Sequence, residues 1–299
     1  MKKGIVIKSN DQYHMRAHMK TFRMLDRMIS YNKEDMLQFV SLRELPEHYD
    51  FFVQNGMRKL AVGEQQNEAY EFTQSAGKPV LIREEPNIRS IAKNSIKLTW
   101  NSIFMDEGLF PYDPSYDRWT ELANKHNLVI HDWQRRGDAV LFTLQMPTDS
   151  ALNRLASRGI AYKDYITDTL KQTQRITDRP IVIRAHPKNF VDQDYIQNKI
   201  SNVEYSEGRS LYEDLDRAWC MVTYNSTSCV EATLYGTPTI VLDASAVSTA
   251  VSQTKLEQIE DPWEPDRAEW CRRIAFHQWH VCELEDDYVW TLLKRLIWK

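Results

Sequence analysis

Short apolar runs of strand length alternate with helix-length segments along most of this chain. Gly4–Ile7, Asp35–Leu42, Phe51–Gln54, Val80–Arg83 and Ile96–Trp100 read as strands in its first half. Ala139–Leu144, Ile181–Arg184, Val203–Tyr205, Cys220–Thr223 and Thr239–Leu242 do so in its second. Between them His14–Ser30, Glu64–Ala76, Arg118–His126, Tyr162–Arg175, Leu211–Arg217 and Cys229–Leu234 read as helices. This alternation predicts an α/β protein with parallel sheets. The pattern breaks at Trp133-Gln-Arg-Arg-Gly-Asp138, before a fresh strand. A division into residues 1–136, 137–265 and a tail 266–299 follows. In the tail, Asp266–Glu283 and Asp286–Trp298 read as two consecutive helices rich in tryptophan. Two α/β halves with closing helices predict facing domains and a ligand cleft between them. Trp263, Trp270, Trp279, Trp290 and Trp298 are expected to pack between the domains rather than stack on bases.

At 299 residues the chain has room for one large or two medium domains. No apolar run approaches the ~18 residues of a membrane span. Met1–Lys8 is too short an apolar run for a signal peptide and reads as a first buried strand. Cys220, Cys229, Cys271 and Cys282 form no C-x-x-C pair, which predicts reduced thiols, a cytoplasmic setting and no zinc site. The formal net charge is −4, spread unevenly. Residues 1–100 hold 16 basic against 12 acidic side chains, and the rest 22 against 30. An acidic protein is a poor general nucleic-acid binder, so a polyanionic partner would have to meet the basic first third.

Two polar motifs stand at strand ends. The first is Ile181-Val-Ile-Arg-Ala-His-Pro-Lys188, in which Pro187 ends the strand by His186. Arg184, His186 and Lys188 then crowd the sheet mouth, where three donors suit a diphosphate and its charge on departure. A solvated basic turn is the alternative. The second motif is Asn225-Ser-Thr-Ser228, between a strand and a helix. Helix N-termini favour anions, and the hydroxyls of Ser226, Thr227 and Ser228 add donors. Glu231 could accept from vicinal ribose hydroxyls, or close a Ser228–Glu231 capping box. Neither G-x-G-x-x-G nor G-x-x-x-x-G-K-[ST] occurs, which argues against nicotinamide dehydrogenases and P-loop NTPases.

These residues resemble the donor half of glycosyltransferases of the GT-B architecture, which have two Rossmann-like domains. The pattern is Arg184-x-His186-Pro187, then Tyr224-Asn-Ser-x-Ser-x-x-Glu-Ala232 and Gly236-x-Pro238. A closer resemblance is to small glycosyltransferase-like proteins of tailed bacteriophages. Arg267-x-x-Trp270…Ala275-Phe-His-Gln-Trp279, Leu98-Thr-Trp-Asn101 and Leu144-Gln-Met-Pro-Thr-Asp149 carry that likeness. It implies donor contacts at His186, Asn225, Ser226, Thr227, Ser228 and Glu231, with Gln145 and Asp149 facing the leaving nucleotide. Leu144 stands where the family has a glycine, so the backbone has less room to approach a diphosphate there. The implied activity moves a sugar from a nucleotide-sugar, expected to be UDP-linked, with no tightly bound cofactor. The implied acceptor is a hydroxymethylated pyrimidine of double-stranded DNA. A capsule or cell-envelope polysaccharide is the alternative, and a non-catalytic binding module a third reading.

Sugar transfer needs a base near the acceptor. No convincing Asp-x-Asp pair for a metal is seen. The resemblance places a carboxylate at Glu84, the base candidate, beside Glu85; a surface Glu-Glu turn is the alternative. Asp106 and Asp113 come next, then His14 and His18. Arg16, Lys20, Arg23 and Arg27 share one face of the first helix, opposite Met15, Met19, Phe22 and Ile29. That stripe could track a DNA backbone or be an ordinary solvated face. Arg83, Arg89, Lys93 and Lys97 add to the basic character of the same half.

Overall fold

The computed structural model describes residues 1–7, 22–41, 44–57, 68–188, 195–196 and 198–298. The first half supplies β1 (Lys3–Ile7), β2 (Met36–Val40), β3 (Phe51–Asn55), β4 (Val80–Glu84) and β5 (Ser95–Trp100). The second supplies β6 (Ala139–Thr143), β7 (Ile181–Arg184), β8 (Val203–Tyr205), β9 (Ala218–Thr223) and β10 (Thr239–Val241). A last strand, β11 (Trp279–His280), comes from the tail. Among the described residues these form two sheets, ordered β11-β5-β4-β3-β1-β2 and β10-β9-β6-β7-β8. Helices link and cover them: α1 (22–30), α2 (Glu68–Ser75), α3 (Arg118–His126), α4 (Asn153–Ser157), α5 (Tyr162–Ile176), α6 (Leu211–Leu215), α7 (Ser228–Tyr235), α8 (Ala268–Ala275) and α9 (Tyr288–Ile297). None among the described residues is long and apolar enough to cross a membrane.

The central strands of each sheet are buried on both faces, which is why they read as near-continuous apolar runs. Along β6, Ala139 and Leu141 pack with α7 and α8, while Val140 and Phe142 face α5. In the first sheet, Val6, Phe51, Leu81 and Leu98 pack toward α1 and α9, and Ile5, Phe52 and Ile82 face the other way.

Two expectations are corrected. The first sheet is not wholly parallel, because β5 runs antiparallel to β4 and to β11. Residues 85–94 join β4 to β5, too few for the crossover that a parallel pair requires. The second correction is in the tail. Asp266–Glu283 is not one helix: α8 stops at Ala275, and Trp279–His280 pairs with Ser95–Ile96 as an edge strand. Trp270 packs in the core under the second sheet, whereas Trp279 and Trp290 complete the core of the first. The tail thus returns from the second half to close the first.

Candidate active site

In the second sheet β6 pairs with both β7 and β9, so the chain leaves β6 on one side and comes back on the other. Ligands of open parallel sheets sit at such a switch point, past the strand ends. Three segments converge there: Gln145–Asp149 after β6, Ala185–Lys188 after β7, and Asn225–Thr227 between β9 and α7.

Hydroxyls knit the strand ends together. Thr223 Oγ1 donates to the Thr143 carbonyl (2.8 Å), Ser228 Oγ lies 2.9 Å from Thr143 Oγ1, and Ser226 Oγ accepts from both the amide (3.3 Å) and the hydroxyl (3.0 Å) of Ser228. Ser226 and Ser228 therefore shape the turn. Gln145 is buried and also supports it, since its Oε1 accepts from Asn225 N (2.9 Å). Its own amide donates to the Tyr162 hydroxyl oxygen, and burial raises that phenol's pKa. Asn225 Nδ2 donates to Ser245 Oγ (2.8 Å). Asp149 accepts from Ala151 N (3.0 Å), capping a short turn.

The capping box is not formed. Thr227 is the N-cap of α7 and makes no side-chain cap bond. Glu231 instead accepts from Ser90 N of the first half (2.8 Å) and from Tyr212 OH (2.9 Å). Burial and Glu231's charge push that tyrosine up to about 12. Arg184, expected at the sheet mouth, is held within its own half. Its Nη1 donates to buried Asp214 (2.6 Å) and to the Arg209 carbonyl (2.9 Å), because a buried carboxylate needs a cation.

His186 is oriented for donation. Its Nδ1 accepts from Lys188 N (3.1 Å), so the neutral ring carries its proton on Nε2. Burial lowers its pKa, with Lys188 and Arg89 adding to the effect and Asp149 opposing it. Arg89 reaches across from the first half, where its Nε donates to Thr227 Oγ1 (3.3 Å). Arg154 joins the halves again through Asp106 (2.8 Å), Glu107 (2.5 Å) and Asp243 (3.2 Å).

On the facing half, Asp106 is therefore engaged by Arg154, and Asp113 accepts from Ser115 and Tyr288, which lower its pKa. Glu84 closes β4 with lighter engagement: its Oε1 accepts from Glu85 N (2.8 Å). Glu85 is paired with Arg83 and Arg89. Arg23 and Arg27 are exposed on α1; Arg16, Lys20, His14 and His18 lie outside the described residues.

The sequence counts Lys97 among the basic residues of the first half, within the strand Ile96–Trp100. It is 4 % exposed, and burial pushes its ammonium down to about 8. Its Nζ donates to Asn87 Oδ1 (3.3 Å), and Asn87 Nδ2 donates to His277 Nδ1 (2.9 Å). The signal was one lysine inside an otherwise buried strand, Ser95-Ile-Lys-Leu-Thr-Trp100. Among the described residues no group of His, Cys, Asp and Glu could hold a metal ion.

No family model matches this sequence, and no curated protein matches it. Similarity lies in solved structures. Thermosulfurimonas dismutans KpsC, β-Kdo 2,7 transferase, superposes with a TM-score of 0.56 at 13 % identity, covering 95 % of this chain and 99 % of that one. The β-Kdo 2,4 transferase of the same KpsC gives 0.51 at 12 % identity, covering 91 % and 90 %. The architecture is the two-sheet, Rossmann-like GT-B fold of glycosyltransferases.

Proposed function

We propose that this protein is a nucleotide-sugar-dependent glycosyltransferase. The observation that carries the reading is a group of donors at the switch point of the second sheet, joined by the first half. The Nε2–H of His186, Lys188, the first turn of α7 at Thr227 and Arg89, which donates to Thr227, make up that group. Glu84 ends β4 in the same half as Arg89, just ahead of it in the chain. The donor's diphosphate would lie at that group, its charge met by N–H groups, the helix N-terminus and the two cations. Glu84 would take the proton of the acceptor hydroxyl as its oxygen bonds to the anomeric carbon. The bond from that carbon to the phosphate oxygen breaks, and the electron pair leaves with the nucleotide. A UDP-linked donor is the first choice.

The acceptor we favour is a saccharide hydroxyl. The two similar structures are described as β-Kdo transferases, which supports sugar-on-glycan chemistry. Hydroxymethylated DNA is the second reading, supported by Arg23 and Arg27 exposed one turn apart on α1.

The test offers the protein a panel of nucleotide-sugars with either oligosaccharides or plain and hydroxymethylated duplex DNA, and weighs the products. Mass gain on a saccharide is expected, and gain on DNA alone would move the conclusion to the second reading. No transfer and no nucleotide release with any donor would end both. Glu84→Gln should slow transfer by about 100-fold or more while sparing donor affinity. Unchanged turnover would remove Glu84 as the base.

A further inference from the structure

Glu84 and Lys97 are direct partners in the antiparallel pair β4–β5. Opposed residues in such a pair project from the same face of the sheet, with Cβ atoms about 5 Å apart. An ammonium has three donors. Lys97 spends one on Asn87 Oδ1, and Glu84 Oε2 has no bond to any described residue. A buried cation and a half-engaged carboxylate therefore share one face of the first sheet.

The same lysine anchors the turn that follows Glu84. Asn87, fully buried, links Lys97 to His277. The next residue is held from both sides: Ile88 N donates to Gln278 Oε1 (3.2 Å), and Gln278 Nε2 donates to the carbonyls of Ile88 and Ile91 (each 3.3 Å). His277 cannot supply the charge, because burial and the nearby Lys97 push it down to about 3. From this cross-strand register and the anchored turn we propose that Lys97 is a positioning residue for Glu84, fixing where its carboxylate points. The idea rests on Glu84 being the base of the proposed transfer.

The charged groups that act on Lys97 are Glu84 from β4, Arg89 from the turn, and Asp149 from the opposite half. Glu84 and Asp149 favour the ammonium; burial and Arg89 oppose it. Lys97 is charged below about pH 8 and neutral above, so transfer should fall as the pH rises through that point.

Two measurements on the full chain decide the matter. In the first, lysine Cε carbons are labelled and followed by NMR against pH. One resonance should titrate near 8 and be missing from Lys97→Met. In Glu84→Gln its midpoint should drop by about half a unit or more, because the favourable charge is gone. An unmoved midpoint overturns the pairing, and needs no substrate to do so. In the second, kcat/KM is profiled against pH. Lys97→Arg, charged throughout, should lose the alkaline fall. Lys97→Met should lower kcat about 100-fold with donor KM little changed, and add nothing to Glu84→Gln in the double variant. Wild-type turnover in Lys97→Met, or an alkaline fall retained in Lys97→Arg, overturns the positioning role and leaves the transferase reading intact. If instead no donor is ever consumed, the transferase reading fails, and the NMR midpoint alone decides whether the two side chains are coupled.

Discussion

Arg118 carries the sharpest stability prediction. It opens α3, is 1 % exposed, and clasps the tail. Its Nε donates to the Ala275 carbonyl (2.9 Å), its Nη2 to the Gln278 carbonyl, and both Nη atoms to Glu283 (2.5 and 3.0 Å). The guanidinium also lies 3.9 Å from the ring centre of Trp279. Arg118→Met keeps the length of the side chain and deletes every donor. Each buried carbonyl loses a charged hydrogen bond worth about 1.5 kcal/mol or more. The Glu283 pair adds about 1 kcal/mol, discounted because that carboxylate is 23 % exposed, and the ring contact about 1 kcal/mol. The apolar methionine restores part of this, leaving an expected loss of about 4 kcal/mol, in line with breaking a buried ion pair. Urea unfolding followed by tryptophan fluorescence reads the total. Hydrogen exchange at Trp279–Glu283 reads the site and should quicken there first, because β11 is freed. Arg118→Lys should fall between, since a point charge cannot serve three directions at once. A loss under about 1 kcal/mol, or exchange unchanged in β11, would refute the clasp.

The remaining predictions are shorter. Lys97 titrates lower when folded (about 8) than its ordinary value of 10.5, so the folded state gives up the proton first and gains stability as pH rises from 8 toward 10.5. The stability of the wild type minus that of Lys97→Met should therefore climb by up to about 3 kcal/mol over that window, and a flat difference contradicts the burial. Gly236 and Gly208 share a left-handed backbone, with φ +80° and +69°. A Cβ on Gly236 would meet the Asp132 carbonyl at 2.1 Å, whereas one on Gly208 meets open space. Gly208→Ala should cost about 1 kcal/mol and Gly236→Ala clearly more, a ranking that thermal melts can reverse. His186→Ala should weaken nucleotide-sugar binding about tenfold by calorimetry, through loss of the Nε2–H donor; undiminished affinity would displace it from the donor site.

The central strands β6 and β7 were legible because burial on both faces keeps them almost wholly apolar. Ile181–Arg184 fell where it was read, and Ala139–Leu144 ended one residue early. Glycine, proline and serine punctuation marked the turns at Pro187 and Gly236. What was hidden depended on partners far along the chain. Nothing near Glu231 reveals that Ser90, 141 residues away, supplies its hydrogen bond, so a local capping box looked sufficient. Arg184 looked free because Asp214, which neutralises it, lies thirty residues on. Trp279–His280 is too short a strand to have a period of its own. The helical spacing of Trp270, Cys271 and Ile274 ran on through it unmarked by any breaker. The burial of Lys97 was not legible, since lysine is almost never fully buried without a partner, and its partner Asn87 is polar but uncharged.

The returning tail also dictates an order of assembly. Nascent chains usually fold from the N-terminus as domains leave the ribosome. Here the first sheet lacks its edge strand β11, and its core lacks Trp279, Trp290, Leu292 and Leu293, until the final stretch has been made. Among the described residues the second sheet draws its strands from residues 139–241, and these are made earlier. Translation therefore runs in one direction and closure in the other: the half synthesised first is the last to be sealed.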